Sequence, residues 1–268
     1  MASSGHVMWE HDGVQLAPAA DGLPCRERKH VMQIRARVSE LAQRERFIRK
    51  LISTDTLYFV AGSDGWATVP FRHDRGREVV LFWTCRREAE KWGEVVVENP
   101  VVHEVRLGQL LAEVLPMLDA NGCLIGHDWS SDPSDPVISP GELSERIWRD
   151  RNDHFIAAMR ATDTLWVLES ASGPALIPSA RSAGKDCLPV WATRETAAAN
   201  IAGSWSNKRP LGIPLQTFRD RYLPFVESRG GLIGIEPLPQ AGARELTAAE
   251  FTRLAFPAMA LSQIRAVG

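Results

Sequence analysis

Cysteine is scarce in this chain of 268 residues: Cys25, Cys85, Cys123 and Cys187 stand singly. Without a C-x-x-C pair they match neither a zinc ribbon nor a thioredoxin-like redox motif, and a disulfide-stapled small domain is excluded. Charge of one sign is also lacking. Lysine and arginine total 31 against 33 acidic residues, a net charge of -2, so no whole-protein field exists for holding DNA or RNA. Long apolar runs are missing too. The longest, Leu107 to Leu118, is broken by Glu113 and Pro116 and falls short of the roughly 20 residues a membrane crossing needs. Met1 to Gly13 has no cationic stretch leading into an apolar core, so no secretory signal is expected and the cytoplasm is the expected compartment, with the cysteines as thiols.

Signature motifs are absent as well. No G-x-x-x-x-G-K-[ST] loop, G-x-G-x-x-G turn, G-x-S-x-G elbow or H-E-x-x-H pair occurs, which disfavours the familiar nucleotide-binding, hydrolase and zinc-protease classes. The one grouping that suggests metal ligands, His6, His11, Cys25 and His30, fits no closed tetrahedral spacing. Neither a metal nor a cofactor is expected.

What is present is a repeat. Displaced by 108 positions, Phe47-Ile48 falls on Phe155-Ile156, Thr54-Asp55-Thr56-Leu57 on Thr162-Asp163-Thr164-Leu165, and Gly65, Ala67 and Pro70 on Gly173, Ala175 and Pro178. Trp83, Arg86 and Ala89 meet Trp191, Arg194 and Ala197, and Pro116 meets Pro224. Gly122, Leu124, Ile125 and Gly126 meet Gly230, Leu232, Ile233 and Gly234, and Glu142 meets Glu250. About a fifth of the aligned positions 47 to 143 are identical without a gap. Two copies of one fold are the simplest explanation.

Each copy carries the same alternation of helical and extended signals. A helix runs to Asp55 or Asp163, and β-rich runs follow at 57–61, 66–70 and 79–83, matched at 165–168, 175–178 and 188–191. Cys85 or Thr193 is placed as an N-cap, and threonine is the better cap. An extended piece at 101–105 or 211–213 leads into a helix that Pro116 or Pro224 should bend or end. Gly122 or Gly230 allows reversal into a buried strand, and Ser139 and Thr247 cap a last helix, with glutamate at capping-box spacing. The expected fold class is α+β with α/β-like alternation: two tandem homologous modules, each a small mixed or antiparallel sheet covered by helices. They should span 40–149 and 152–257, joined by a charged connector near Arg149 to Asp153. Residues 1–39 should form a flexible tail and a basic amphipathic arm, and the end from Ala260 should be poorly ordered.

Leu188-Pro189-Val190-Trp191, Arg194-Glu195, Ala197, Trp205, Ile213-Pro214-Leu215, Phe218, Leu223-Pro224 and Gly231-Leu232-Ile233 resemble the uncharacterised bacterial family known as domain of unknown function 2750. The first copy departs at Val80-Leu81, Val97 and Val105-Arg106-Leu107. The layout is also similar to the N-terminal domain of the enhanced-serine-sensitivity proteins, a small α/β module whose implied role is not enzymatic. Together the resemblances cover nearly everything from 47 to 255 and supply no catalytic residue.

Candidate chemistry is correspondingly sparse. His127-Asp128 suggests an imidazole oriented for acid–base work, although neighbours on an extended segment point to opposite faces. His103-Glu104 is a similar pair. Asp55 and Asp163 suit a turn role, bonding amides between helix and strand. Trp83 with Arg86, and Trp191 with Arg194, place a cation in the first helical turn, where the macrodipole disfavours it. Either an acid offsets that, or the pair forms a shallow anion or peptide site, once per copy. Trp205 is a third aromatic candidate for contact.

Residues 25 to 50 hold nine basic residues and three glutamates, a net +6, so by difference from -2 the remainder carries -8. Ile34, Val38, Leu41 and Ile48 give this arm an apolar stripe. The expected function is a cytoplasmic, non-catalytic protein that binds a protein or peptide, of regulatory or immunity type. The alternatives are an enzyme or small-ligand binder using a cleft between modules, tested first at His127, Asp128 and Arg86, and weak polyanion binding through the arm.

Overall fold

The computed structural model describes residues 25–63, 65–74, 76–129 and 137–256, with side chains from position 39 onward except that of Ser204. The chain divides into two compact units between Gln43 and Arg44. The expected tail over 1–24 and the disordered end from Ala260 lie outside the described residues.

Helix α1 spans Cys25–Thr54. Its last turns bury Phe47, Ile48 and Leu51 completely. It stops where Asp55 takes the left-handed conformation, φ 57°, which aspartate tolerates because its short side chain bonds locally. The first module then runs through β1 (Thr56–Gly62), β2 (Gly65–Trp66), β3 (Thr68–Pro70), β4 (Glu78–Trp83), α2 (Arg86–Val96) and β5 (Val101–Arg106). Helix α3 (Leu107–Gln109) passes through a π-type turn (Leu110–Val114) into α4 (Leu115–Ala120), followed by β6 (Leu124–His127) and β7 (Val137–Ile138).

Helix α5 (Pro140–Thr162) comes next, and the second module repeats the order: β8 (Thr164–Ser170), β9 (Gly173–Pro174), β10 (Ile177–Pro178), β11 (Asp186–Val190), α6 (Arg194–Ala199) and β12 (Arg209–Pro214). Helix α7 (Leu215–Thr217), a π-type turn (Phe218–Tyr222) and α8 (Leu223–Ser228) lead to β13 (Leu232–Leu238), β14 (Gly242–Leu246) and α9 (Ala248–Ala255).

Strand register repeats at the spacing of the sequence repeat. Thr56 pairs with Arg106 and Thr164 with Pro214. Val79 pairs with Leu124 in parallel, as Cys187 does with Leu232. Ile125 opposes Ile138 as Ile233 opposes Leu246. Among the described residues, the strands of module one form one mixed sheet with one parallel pair, and those of module two divide into a mixed sheet, β10-β11-β13-β14, and an antiparallel one, β12-β8-β9. In the second module the contact between β8 and β11 shrinks to a single bridge, Trp166 to Trp191. Irregular details repeat as well. The Leu107 amide donates to the Asp55 carbonyl at 3.1 Å and the Leu215 amide to the Asp163 carbonyl at 3.0 Å, and Asp128 and Glu236 both have positive φ.

One expectation is sharpened and one corrected. Of the two outcomes expected at Pro116 and Pro224, bending or ending the helix, the chain does not end there: a π-type turn precedes each, with the Leu115 amide reaching back to Leu110 and the Leu223 amide to Phe218. That widened turn shifts the hydrogen-bond ladder, and each proline enters at the start of a fresh α segment, where its missing donor costs least. The connector near Arg149 to Asp153 is not a linker. It lies mid-way along α5, whose first half packs Leu143 and Ile147 into the core of module one and whose second half packs Phe155 and Met159 into that of module two. One helix closes the first copy and opens the second.

Candidate functional site

The expected pair His127-Asp128 is pulled apart by the end of β6. His127 is fully buried, its ring stacked on Phe47 at 4.9 Å between centroids, and neither ring nitrogen has a hydrogen-bond partner among the described residues. Burial, reinforced by the Arg44 guanidinium, pushes its pKa down to about 4, so the imidazole is neutral near pH 7. Asp128 turns away with φ 48°. Its carboxylate accepts from the Thr84 amide at 2.7 Å and from the Thr84 hydroxyl at 2.9 Å, tying β6 to the turn before α2.

Trp83 and Trp191 occupy equivalent core positions, each 1% exposed. The Trp83 indole donates to the Trp129 carbonyl at 3.0 Å, whereas the Trp191 N–H is buried with no partner among the described residues. Half-buried Trp205 meets Trp191 edge-on at 6.3 Å. The arginines lie elsewhere. Arg86 is exposed and bonds Glu90 one turn along its own helix at 3.0 Å, and Arg194 is exposed at the start of α6. The structure thus does not gather Trp83 with Arg86, or Trp191 with Arg194, into one concave surface. His103 is exposed and stacks on Phe59 at 5.1 Å.

Among the described residues, no group of three or more His, Cys, Asp or Glu side chains is placed to hold a metal. The grouping of His6, His11, Cys25 and His30 lies outside the residues whose side chains are described. Burial pushes the Cys187 thiol up to about 12, so it is an inert core thiol rather than a nucleophile. No described helix is long and apolar enough to cross a membrane.

A concave site lies between the modules: a groove of about 670 Å³ walled by the end of α1, the middle of α5 and the β11–α6 corner of module two. Ile52, Phe155, Ala157 and Ala158 supply apolar surface, and Glu45, Arg49, Asp150, Asp153, His154 and Glu236 supply charge of both signs. Residues 143, 147, 151, 155 and 159 form an i, i+4 row along α5, so Arg151 is carried on the inward face with the core residues.

Arg151 meets Glu236 there. Its guanidinium donates to the Glu236 backbone carbonyl at 3.1 Å and lies 3.7 Å from the carboxylate. Burial raises the Glu236 pKa, against the pull of Arg151, the Ala192 amide and His154. Burial likewise disfavours the charged form of Arg151, which Glu236 and then Asp55 support. Asp55 is raised chiefly by desolvation. Glu236 stands where module one has Asp128, and its carboxylate faces the Ala192 amide as Asp128 faces that of Thr84. The groove residues were missed in the sequence because they come from three separated segments. The available signals were the i, i+4 row through Arg151 and the Asp128–Glu236 equivalence.

The fold defines a tandem duplication of one α+β module with a groove at the junction. The model for the family described as protein of unknown function (DUF2750) matches twice, over residues 44–147 and 152–254, and the chain belongs to that family. No curated protein matches. Two solved structures share a distant likeness. Anabaena Tic22 (protein transport) is 11% identical over 74% of this chain and 94% of that one, with a TM-score of 0.24. Tic22 from Plasmodium falciparum is 12% identical over 78% and 98%, with a TM-score of 0.22.

Proposed function

We propose that the protein is a binding protein whose inter-module groove receives a segment of another protein. The observation that carries this reading is the groove's construction: an apolar strip on α5 bordered by charges of both signs, with walls from both modules. A polypeptide segment offers the matching mixture of apolar and charged groups. Cytoplasmic action fits the free thiols Cys85, Cys123 and Cys187.

The test is recovery of partners by the full-length chain with quantitative mass spectrometry, comparing wild type with Ala157→Trp. Ala157 is exposed in the groove, so a tryptophan there fills the space without touching either core. Reproducible partners lost on substitution support the reading. Partners recovered equally by both forms would move the contact elsewhere.

A second reading is favoured by one observation, the half-buried Glu236 beside Arg151 on the groove wall, since perturbed ionisable groups in clefts mark small-molecule sites. Neither His127 nor Asp128 nor Arg86 lines that groove, so this reading rests on Glu236, Arg151 and His154 instead. A metabolite that raises the unfolding temperature of wild type but not of Ala157→Trp would favour it.

A further inference from the structure

Strand β5 lies at an edge of the first sheet, and among the described residues it pairs with β1 alone. One hydrogen bond shows which of its backbone groups face outward. The Leu107 amide donates to the Asp55 carbonyl, one residue beyond the Thr56–Arg106 pair. Bonded and non-bonded pairs alternate along an antiparallel ladder, so Val101, His103 and Val105 turn their N–H and C=O toward β1. Val102, Glu104 and Arg106 turn theirs away. Val101 is 55% exposed, and His103, Glu104 and Arg106 are exposed as well. Such a row of outward donors and acceptors is a template for another strand.

Module two treats the same geometry differently. The Leu215 amide donates to the Asp163 carbonyl beyond the Thr164–Pro214 pair, so the outward positions of β12 are Pro210, Gly212 and Pro214. Proline has no N–H to offer, which blunts that edge against pairing. The residues of β5 at the same places in the repeat are Val102, Glu104 and Arg106. All keep their donors. One edge is closed by its sequence and its homologue is left open.

The charges along the open edge indicate what would cover it. Glu94 and Glu98 are exposed in the approach to β5, and Arg106 is exposed at its far end. Arg106 now bonds Glu104 of its own strand at 3.2 Å, with both side chains well exposed, so little holds it from another acid. A second molecule of this chain, paired antiparallel about a two-fold axis, sets each end of β5 against the opposite end of the other. The acidic start then meets the basic end twice. In the register centred on His103, outward groups oppose outward groups, Val101 lies opposite Val105 of the second molecule, and Arg106 lies opposite its Pro100, close to its Glu98. A register centred on Glu104 would set that carboxylate against itself, and like charges directly opposite are destabilising.

We propose that the protein forms a symmetric dimer by antiparallel pairing of β5 with β5 of a second molecule, continuing the sheet of module one across the two-fold axis. The inter-module groove plays no part in this contact. The test is sedimentation equilibrium of the full-length chain from sub-micromolar to hundred-micromolar concentration, joined to hydrogen exchange at the Val102, Glu104 and Arg106 amides. A dimer should form as concentration rises, and those amides should gain protection with it. Val102→Pro with Arg106→Pro copies the edge of module two and removes outward donors alone, so it should weaken dimerisation about tenfold or more. Unchanged thermal unfolding at a concentration where the wild type is monomeric shows that the ladder to β1 is intact. Should the prolines unfold the module, exposed charges decide instead: Glu98→Arg should weaken the dimer, and Glu98→Arg with Arg106→Glu should restore it. A monomer at every concentration overturns the proposal. So does a dimer that both the prolines and the charge reversal leave unchanged, which would place the contact elsewhere. Amides equally protected at every dilution overturn it in favour of another segment of the same molecule lying along the edge.

Discussion

A side chain at Gly108 would collide with the backbone carbonyl oxygen of Pro239. Gly108 opens the α3–α4 region of module one, and Pro239 sits in the turn between β13 and β14 of module two, whose Leu238 and Ala241 also pack on the first core. Glycine is required by approach rather than by φ. The equivalent position in the second copy, Gln216, is exposed. Gly108→Ala must push backbone against backbone, which cannot be relieved by rotating a side chain. Destabilisation of about 1–3 kcal/mol is expected, read as a lower urea midpoint, with Gln216→Ala within about 0.5 kcal/mol of wild type.

His127 should make the protein acid-sensitive. Unfolded, its imidazole titrates near 6.5; folded, burial and Arg44 hold it at about 4. Between those values the unfolded chain binds a proton that the fold refuses. The stability His127 permits is therefore fully present above pH 6.5 and is lost as pH falls through 4, on the order of 3 kcal/mol in all. His127→Ile, which installs the residue of the second copy, should flatten this part of the pH dependence. Urea unfolding at pH 7.5, 6, 5 and 4.5 checks it: parallel curves for the two proteins would exclude the buried ring as the cause.

The two copies differ in how they cap the helix after the buried tryptophan. Thr193 accepts a hydrogen bond from the Thr196 amide at 3.2 Å, whereas Cys85 has extended backbone, φ -132° and ψ 123°, and no side-chain cap. Cys85→Thr should stabilise module one by about 0.5–1 kcal/mol, and Thr193→Ala should cost about 1 kcal/mol. Calorimetric melting of both variants gives the sign directly.

Asp128 combines a left-handed backbone with an acceptor role toward Thr84. Asp128→Ala loses both, and a cost of about 2–3 kcal/mol is expected from the missing hydrogen bonds and the strained φ together. Asp128→Asn keeps an acceptor and tolerates the conformation, so it should stay within about 1 kcal/mol of wild type. Chemical unfolding of the two variants separates this role from an acid–base one, because a catalytic carboxylate would show no such ordering of stabilities.

Much of the architecture was legible because it is written twice. Gly65 with Gly173, Trp83 with Trp191 and Gly122 with Gly230 mark the same turns and the same core in both halves, and β-strand register follows the 108-residue offset. Gly126 and Gly234 recur because a Cβ at either would strike a packed neighbour, Leu81 and Trp129 in one copy and Cys187 and Ala243 in the other. The junction was not legible in the same way. Arg149 to Asp153 is polar enough to resemble a linker, yet Leu143, Ile147, Phe155 and Met159 bury one face on either side and hold the run helical. The groove escaped for the same reason, since Ile52, Arg151 and Glu236 become neighbours only when that helix is continuous. His127 beside Asp128 suggested chemistry through adjacency alone, and the left-handed turn at Asp128 removed it.

Continuity of α5 through the junction also sets the azimuth of one module about the other. A loop would absorb an added residue. A helix cannot, because each residue advances the chain about 1.5 Å and turns it about 100°. A single alanine inserted between Arg149 and Asp150 would rotate everything downstream as one piece, lifting the β13–β14 turn off Gly108, withdrawing Leu238 and Ala241 from the first core and dismantling the groove.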